Sequence, residues 1–393
     1  MRDVLYLAWR YLRYNRGKSA VLVGSITLIL FLPAALQVLV GEAAELLTER
    51  ADSTPLLVGA PGSPVDLTLA SLYFTEPSLP PVPYREVEEI AGSGLGLAIP
   101  LHLRYSASGR RIVGTTPEYL EFRGLRVAEG RRFALLGEAV LGAEAARALG
   151  VGVGESIVST PAGAFDVAGS FPLRMRVVGV LEPSRTPDDE AVFTDLKTSW
   201  VIAGIGHGHE EVAELEEDDE ALLLREEGRA VASPALLPYT EITPENIATF
   251  HFHGDQAEFP VDAVVVVPHD LRSETMLRGR YAEGDAPVQI VVPRAVVDDL
   301  VDTMFSVRDA VLLVSLGLIL ATVATLALVF ALSVRLRRQE IETMRKIGVP
   351  RGRLAAVLAV EVLGIVLAAI VIAGALTLAV GRFGGELLRI VAG

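Results

Sequence analysis

The sequence predicts an α-helical membrane part of three spans preceded by an interfacial helix, carrying a large mixed α+β domain outside the bilayer. Three observations predict it: where the apolar residues fall, where the charges fall, and how long the stretch between them is. Apolar side chains make up 51% of the 393 residues, more than an ordinary soluble chain carries. The surplus sits in three runs. Residues 20–40 and 310–334 hold no charge, and 354–380 hold only Glu361. A hydrocarbon core of roughly 30 Å asks for about 20 helical residues, so each run is long enough to cross.

Charge gives the orientation. Residues 1–18 hold five basic side chains against Asp3, and 335–353 hold seven against Glu340 and Glu342. Both segments belong in the cytoplasm by the positive-inside bias. Residues 42–307 hold 43 acidic and 20 basic side chains, which places that stretch outside the cytoplasm. The expected order is an interfacial helix at 1–18, a first span at 19–41, an extracytoplasmic domain at 42–308, a second span at 309–334, a cytoplasmic loop at 335–353, a third span at 354–381 and an outer tail at 382–393. The chain has no cysteine, so the outer domain must hold by its core alone and thiolate chemistry is excluded.

Along the chain, 4–14 place Val4, Leu5, Ala8, Trp9 and Leu12 at helical spacing opposite Arg10 and Arg13, as in a helix lying on the inner leaflet. Asn15 and Gly17 are expected to break it. The first span contains Pro33, and 42–51 continue it outward as a stalk. The 21-residue length of its charge-free run and the lack of a nearby small-x-small site read as a retained span, not a cleaved signal peptide. In the outer domain VDLTLASLYF, AFDVAGSF, RMRVVGVL, VDAVVVVP and APVQIVVP have strand character. EAARALG reads as a short helix stopped by Gly150, and Pro293 opens a helix leading into the second span. Residues 210–220 hold eight carboxylates and no base, so about 205–230 reads as a surface insertion.

The cytoplasmic stretch RLRRQEIETMRKIGVPRGRL (335–354) spaces Ile341, Met344 and Ile347 three apart, pairs Glu342 with Lys346, and offers Gly348 as cap and Pro350 as stop. The residues alone leave open whether this is a docking helix or a basic loop serving topology. The stretch resembles the signature loop of the FtsX-like permeases of ABC transporters. AWRYLRYNRGKS resembles their N-terminal interfacial helix, and VLGAEAARALGVGVGESI (140–157) and VVGVLEPSRTPDDEAVFTDL (177–196) resemble the MacB-type periplasmic core. LLVGAPGSPVDLTLASLYF (56–74) is similar to a subset of these permeases associated with zinc-acquisition operons, whose insertion at 205–220 is histidine-rich where this one is acidic.

The resemblance implies a permease subunit, not an enzyme, that dimerises with itself or a paired permease and binds a separate ABC ATPase at the inner membrane. ATP and magnesium would sit on that partner, and its closure would be transmitted through the spans to the outer domain, which could also meet a periplasmic substrate-binding or adaptor protein. Arg337, Glu340, Ile341, Met344, Arg345, Ile347 and Gly348 would form the ATPase contact. Relatives usually have four spans, whereas this sequence ends soon after its third: either the last helix is lost in this subgroup or the sequence is truncated. No nucleic-acid partner is expected.

Chemistry in the chain itself is sparse. Gly17-Lys18-Ser19 resembles the end of a phosphate loop, but Leu12 stands where its first glycine belongs and no strand precedes it. His209 is followed by Glu-Glu-Val-Ala, not the second histidine of a zincin. Asp188 and Asp189 lie in a Pro-Asp-Asp turn, where capping and solubility explain them. Glu361 is near enough to the cytoplasmic end of its span to snorkel or bond between helices. Four of the six histidines form two His-x-His pairs, His207/His209 and His251/His253. Residues two apart on an extended segment share a face, so each pair could offer two imidazoles to one ion, with Glu210 or Asp255 alongside and zinc the suited metal. Polar loop histidines are the alternative. A second functional reading follows, a membrane-anchored zinc-binding or sensor module.

Overall fold

The computed structural model describes residues 2–160, 172–208, 222–226, 229–232, 240–281, 287–336, 338–347 and 350–392. They form two compact units, Met1–Thr48 with Asp298–Gly393, and Glu49–Val297.

The first unit is helical, and three of its helices are long and apolar enough to cross a membrane. Arg2–Tyr14 is the amphipathic helix, and Arg16–Asp52 follows after a break at Asn15 alone, with Gly17 and Pro33 inside it. Pro293–Leu336 is the second long helix, Arg338–Lys346 a short one, and Arg351–Ala392 the third. The third helix runs through 382–392, where the sequence suggested a tail. Within this unit the first and third long helices meet through small residues: Ala35, Ala369 and Ala373 are buried, and the Thr27 hydroxyl donates to the Ala369 carbonyl at 3.5 Å. Small side chains allow such close approach where lipid offers no hydrophobic drive between helices. Glu361 is buried in this unit. None of the most apolar stretch of the second helix is buried.

The second unit is built on two main sheets. Strands Gln289–Val291, Leu56–Gly59, Ala263–Pro268 and Gly96–Leu101 form an antiparallel sheet in that order. Leu56, Leu57 and Val58 are all fully buried, as their unbroken apolar run requires. The larger, mixed sheet has eight strands, with Leu173–Leu181, Glu138–Leu141, Val192–Asp195 and Arg110–Thr115 at its centre. One core around Trp200, Ile90 and Leu277 backs the first sheet, and a second around Met175, Val192 and Ile112 backs the other.

VDLTLASLYF is a helix, Pro64–Tyr73, and not the expected strand. Ser63 accepts the Asp66 N–H at 3.2 Å, Pro64 presets the first turn, and Phe74 stops the helix at φ 54°. These start and stop signals outweigh the strand character of the composition. AFDVAGSF and the acidic run 210–220 lie outside the described residues. The described residues of the proposed insertion include strands: Gly206–Gly208 pairs with Phe250–Phe252, and Leu222–Glu226 pairs with Arg229–Ala232.

Candidate functional site

The short helix Arg338–Lys346 carries Glu340, Ile341, Met344 and Arg345, four of the seven residues expected at an ATPase contact. Ile347 follows it with its side chain 78% exposed and its N–H on the Thr343 carbonyl at 3.1 Å. Arg337 and Gly348 lie outside the described residues. Glu342 pairs with Arg338, 3.4 Å away and one turn earlier, in place of the expected pairing with Lys346. An exposed pair of this kind contributes little stability.

The histidines converge. In the antiparallel pair Gly206–Gly208 and Phe250–Phe252, His207 stands opposite His251, and His253 shares the face of His251 by the strand period. The ligating nitrogens of His207, His251 and His253 all lie within 4.8 Å of one another. Nε2 of His253 is 3.0 Å from Nε2 of His251 and 3.4 Å from Nε2 of His207. The opposite face is apolar. Phe250 and Phe252 lie across from Gly208 and Gly206, and a Cβ at either glycine would come within 2.7 or 2.5 Å of the facing ring. Phe252 then packs on Trp200 and Phe259. His209 and Glu210 fall outside the described residues. The Asp255 carboxylate accepts the Ala257 N–H at 3.0 Å as a turn cap and is not a member of the cluster.

Sequence reasoning missed a third cluster. Arg50, in the last turn of the helix Arg16–Asp52, is bidentate on Asp188, donating from Nη1 to one oxygen and from Nη2 to the other at 3.0 Å. It also donates to the Tyr119 hydroxyl at 3.1 Å and, from Nε, to the Leu72 carbonyl at 3.1 Å. Tyr119 in turn donates to Asp188 at 2.8 Å. Asp188 and Tyr119 are fully buried, which corrects the solubility role expected of Asp188. Burial pushes the Asp188 carboxyl up, and the Arg50 charge and hydrogen bonds overcome this and hold it below its usual value. Burial and the Asp188 charge push the Tyr119 phenol up to about 12. Asp189 is buried as well, accepting the Ser184 and Arg185 N–H groups at 2.8 and 2.7 Å. An exposed contact between Arg294 and Asp52 links the end of the first long helix to the start of the second.

One pair looks catalytic and is not. His102 Nδ1 lies 2.9 Å from the Ser199 hydroxyl, but that hydroxyl donates to the Leu196 carbonyl at 2.7 Å, so it meets the imidazole as an acceptor. Both residues are buried, so the pair offers no base-activated nucleophile. Burial pushes the His102 imidazole down to about 4 from 6.5. The unfolded chain therefore takes up a proton first as pH falls, and this contribution to stability is complete above pH 6.5 and lost toward pH 4. Thermal unfolding midpoints measured across that interval should fall more steeply for the native chain than for His102→Gln.

A family model described as the MacB-like periplasmic core domain matches residues 21–222, and one described as the FtsX-like permease C-terminal matches residues 312–386. The first alone covers just over half of the chain. The chain belongs to the MacB/FtsX-type ABC transporter permease family. This permease thus has a MacB-like core domain of mixed α and β structure with membrane-spanning helices, and the family is the non-catalytic component of its transporters. No curated protein matches the chain. Among solved structures it is similar to the periplasmic region of MacB from Actinobacillus actinomycetemcomitans, at 9% identity over 65% of this chain and 97% of that one, with a TM-score of 0.37. It is also similar to the extracellular domain of the noncanonic ABC-type transporter YknZ from Gram-positive bacteria, at 10% identity over 61% of this chain and 99% of that one, with a TM-score of 0.32.

Proposed function

We propose that this permease transmits ATP hydrolysis by a separate ABC ATPase in the cytoplasm to its own extracytoplasmic domain. The observation that carries the reading is the short helix Arg338–Lys346, basic in sequence and set between two helices long enough to cross the membrane. The positive-inside bias puts that helix and the N-terminus in the cytoplasm and the acidic domain outside. One further feature supports it. The first and second long helices run on into the residues of the Glu49–Val297 unit, where the buried Arg50–Asp188 pair fastens the end of the first.

Charge and shape reversal on the short helix, Met344→Asp with Arg345→Glu, is expected to reduce co-purification of the ATPase and its stimulation by at least about tenfold, the loss of roughly 1.4 kcal/mol of contact energy. The outer domain should keep its melting profile. An unaltered complex would remove the proposal, as would labelling of residue 345 from outside intact cells. A merely anchored binding module would tolerate both substitutions.

A further inference from the structure

We propose that His207, His251 and His253 form a mononuclear site for a divalent first-row transition ion of the zinc class on the extracytoplasmic domain, with the fourth position left to water or an incoming ligand. Three independent features carry this. The first is spacing. An ion held by nitrogens at about 2.0–2.1 Å in a tetrahedral arrangement separates them by about 3.3 Å. The two closest Nε2 separations, 3.0 and 3.4 Å, bracket that value.

The second feature is the proton arrangement. His251 Nδ1 lies 3.0 Å from the Thr249 carbonyl oxygen, which can only accept, so Nδ1 carries the hydrogen. In the neutral ring Nε2 is then the bare nitrogen, aimed at the other two imidazoles. A backbone carbonyl holding the far N–H is the usual outer support of a metal-bound histidine, because it fixes both tautomer and ring angle. His253 Nε2 faces the other two Nε2 atoms, and a single in-plane hydrogen there could serve both only as a shared donor. A cation set between the three rings would take one nitrogen from each.

The third feature is preorganisation. The strand register sets His207 opposite His251, and the phenyl rings behind them are anchored on Trp200 and Phe259. Two strands 44 positions apart in sequence therefore deliver ligands from a backed, paired framework. Three imidazoles, joined by no sulfur or carboxylate among the described residues, suit zinc, copper, nickel or cobalt and disfavour calcium and magnesium, which take oxygen. A bound ion would staple the Gly206–Gly208 strand, which leads into the acidic run, to the Phe250–Phe252 strand. This site stands apart from the coupling helix, and its test neither needs nor reports the ATPase contact.

The test is calorimetric titration of the full chain in detergent with Zn(II), together with the visible spectrum of the Co(II) form. One ion per chain that excess Mg(II) does not displace is expected, with a four-coordinate Co(II) spectrum. Single substitutions His207→Gln, His251→Gln and His253→Gln should each weaken binding by at least about 10–100-fold, since loss of mere outer-shell support already costs that much. His269→Gln should leave it unchanged. Melting profiles of the variants without metal would establish that they are folded, and the Co(II) spectrum of the native chain gives a readout that needs no variant. Absence of Zn(II) binding at micromolar concentration would overturn the proposal. So would binding that survives replacement of all three histidines.

Discussion

Replacing Arg50 by methionine is expected to lower the stability of the Glu49–Val297 unit by about 3–5 kcal/mol, the range for removing one member of a buried ion pair. The cost arises because Asp188, fully buried, is left with an uncompensated charge, and because Tyr119 and the Leu72 carbonyl each lose a donor. For a unit of this size the unfolding midpoint should fall by on the order of 10 °C. Replacing both partners, Arg50→Met with Asp188→Leu, should recover much of the loss, since no orphan charge remains. The pH dependence supplies a second readout. The Asp188 carboxyl titrates below 3.8 in the folded chain, so its contribution is complete above pH 3.8 and is lost as pH falls through the lower folded value. Asp188→Asn should flatten the acid limb of stability. A single Arg50→Met chain as stable as the native one would show that the cluster is not a clamp.

Trp200→Ala is the second large effect, about 3–5 kcal/mol for an aromatic removed from a core. Trp200 is 1% exposed, and its indole N–H donates to the Pro260 carbonyl at 2.8 Å. Tyr84, Phe259 and Phe252 pack on it with ring centroids 5.4, 5.1 and 6.4 Å away. Truncation would leave a cavity and an unpaired carbonyl, and Phe252 would lose its anchor. Zn(II) affinity should fall with stability in this variant, although Trp200 touches no imidazole, whereas Trp200→Phe should keep most of both. Unchanged melting and unchanged metal affinity in Trp200→Ala would contradict the packing argument.

The membrane part was legible because its signals are compositional: charge-free runs and basic flanks need no knowledge of which segments meet. The strands of the outer domain were legible where β-branched residues run together, as in Ala263–Pro268. Pro64–Tyr73 was misread because its apolar composition drew attention away from Ser63 and Pro64, which open a helix. Arg50, Tyr119 and Asp188 could not be found that way. They are 69 and 138 positions apart, and each alone looks like a stalk arginine, a short-helix tyrosine and a turn aspartate. The histidines fell between these cases: each His-x-His spacing was visible, but only strand register joins His207 to His251. The seven residues expected at an ATPase contact came from resemblance, because such a contact would be defined by a partner's surface.

The glycine-histidine-glycine strand facing phenylalanine-histidine-phenylalanine has one more consequence. Because neighbouring residues of a strand point to opposite sides, a slip of one position would turn the imidazoles inward and the phenyl rings out to water. Assembly errors at the imidazole trio are thereby penalised by the oily side of the same strand pair.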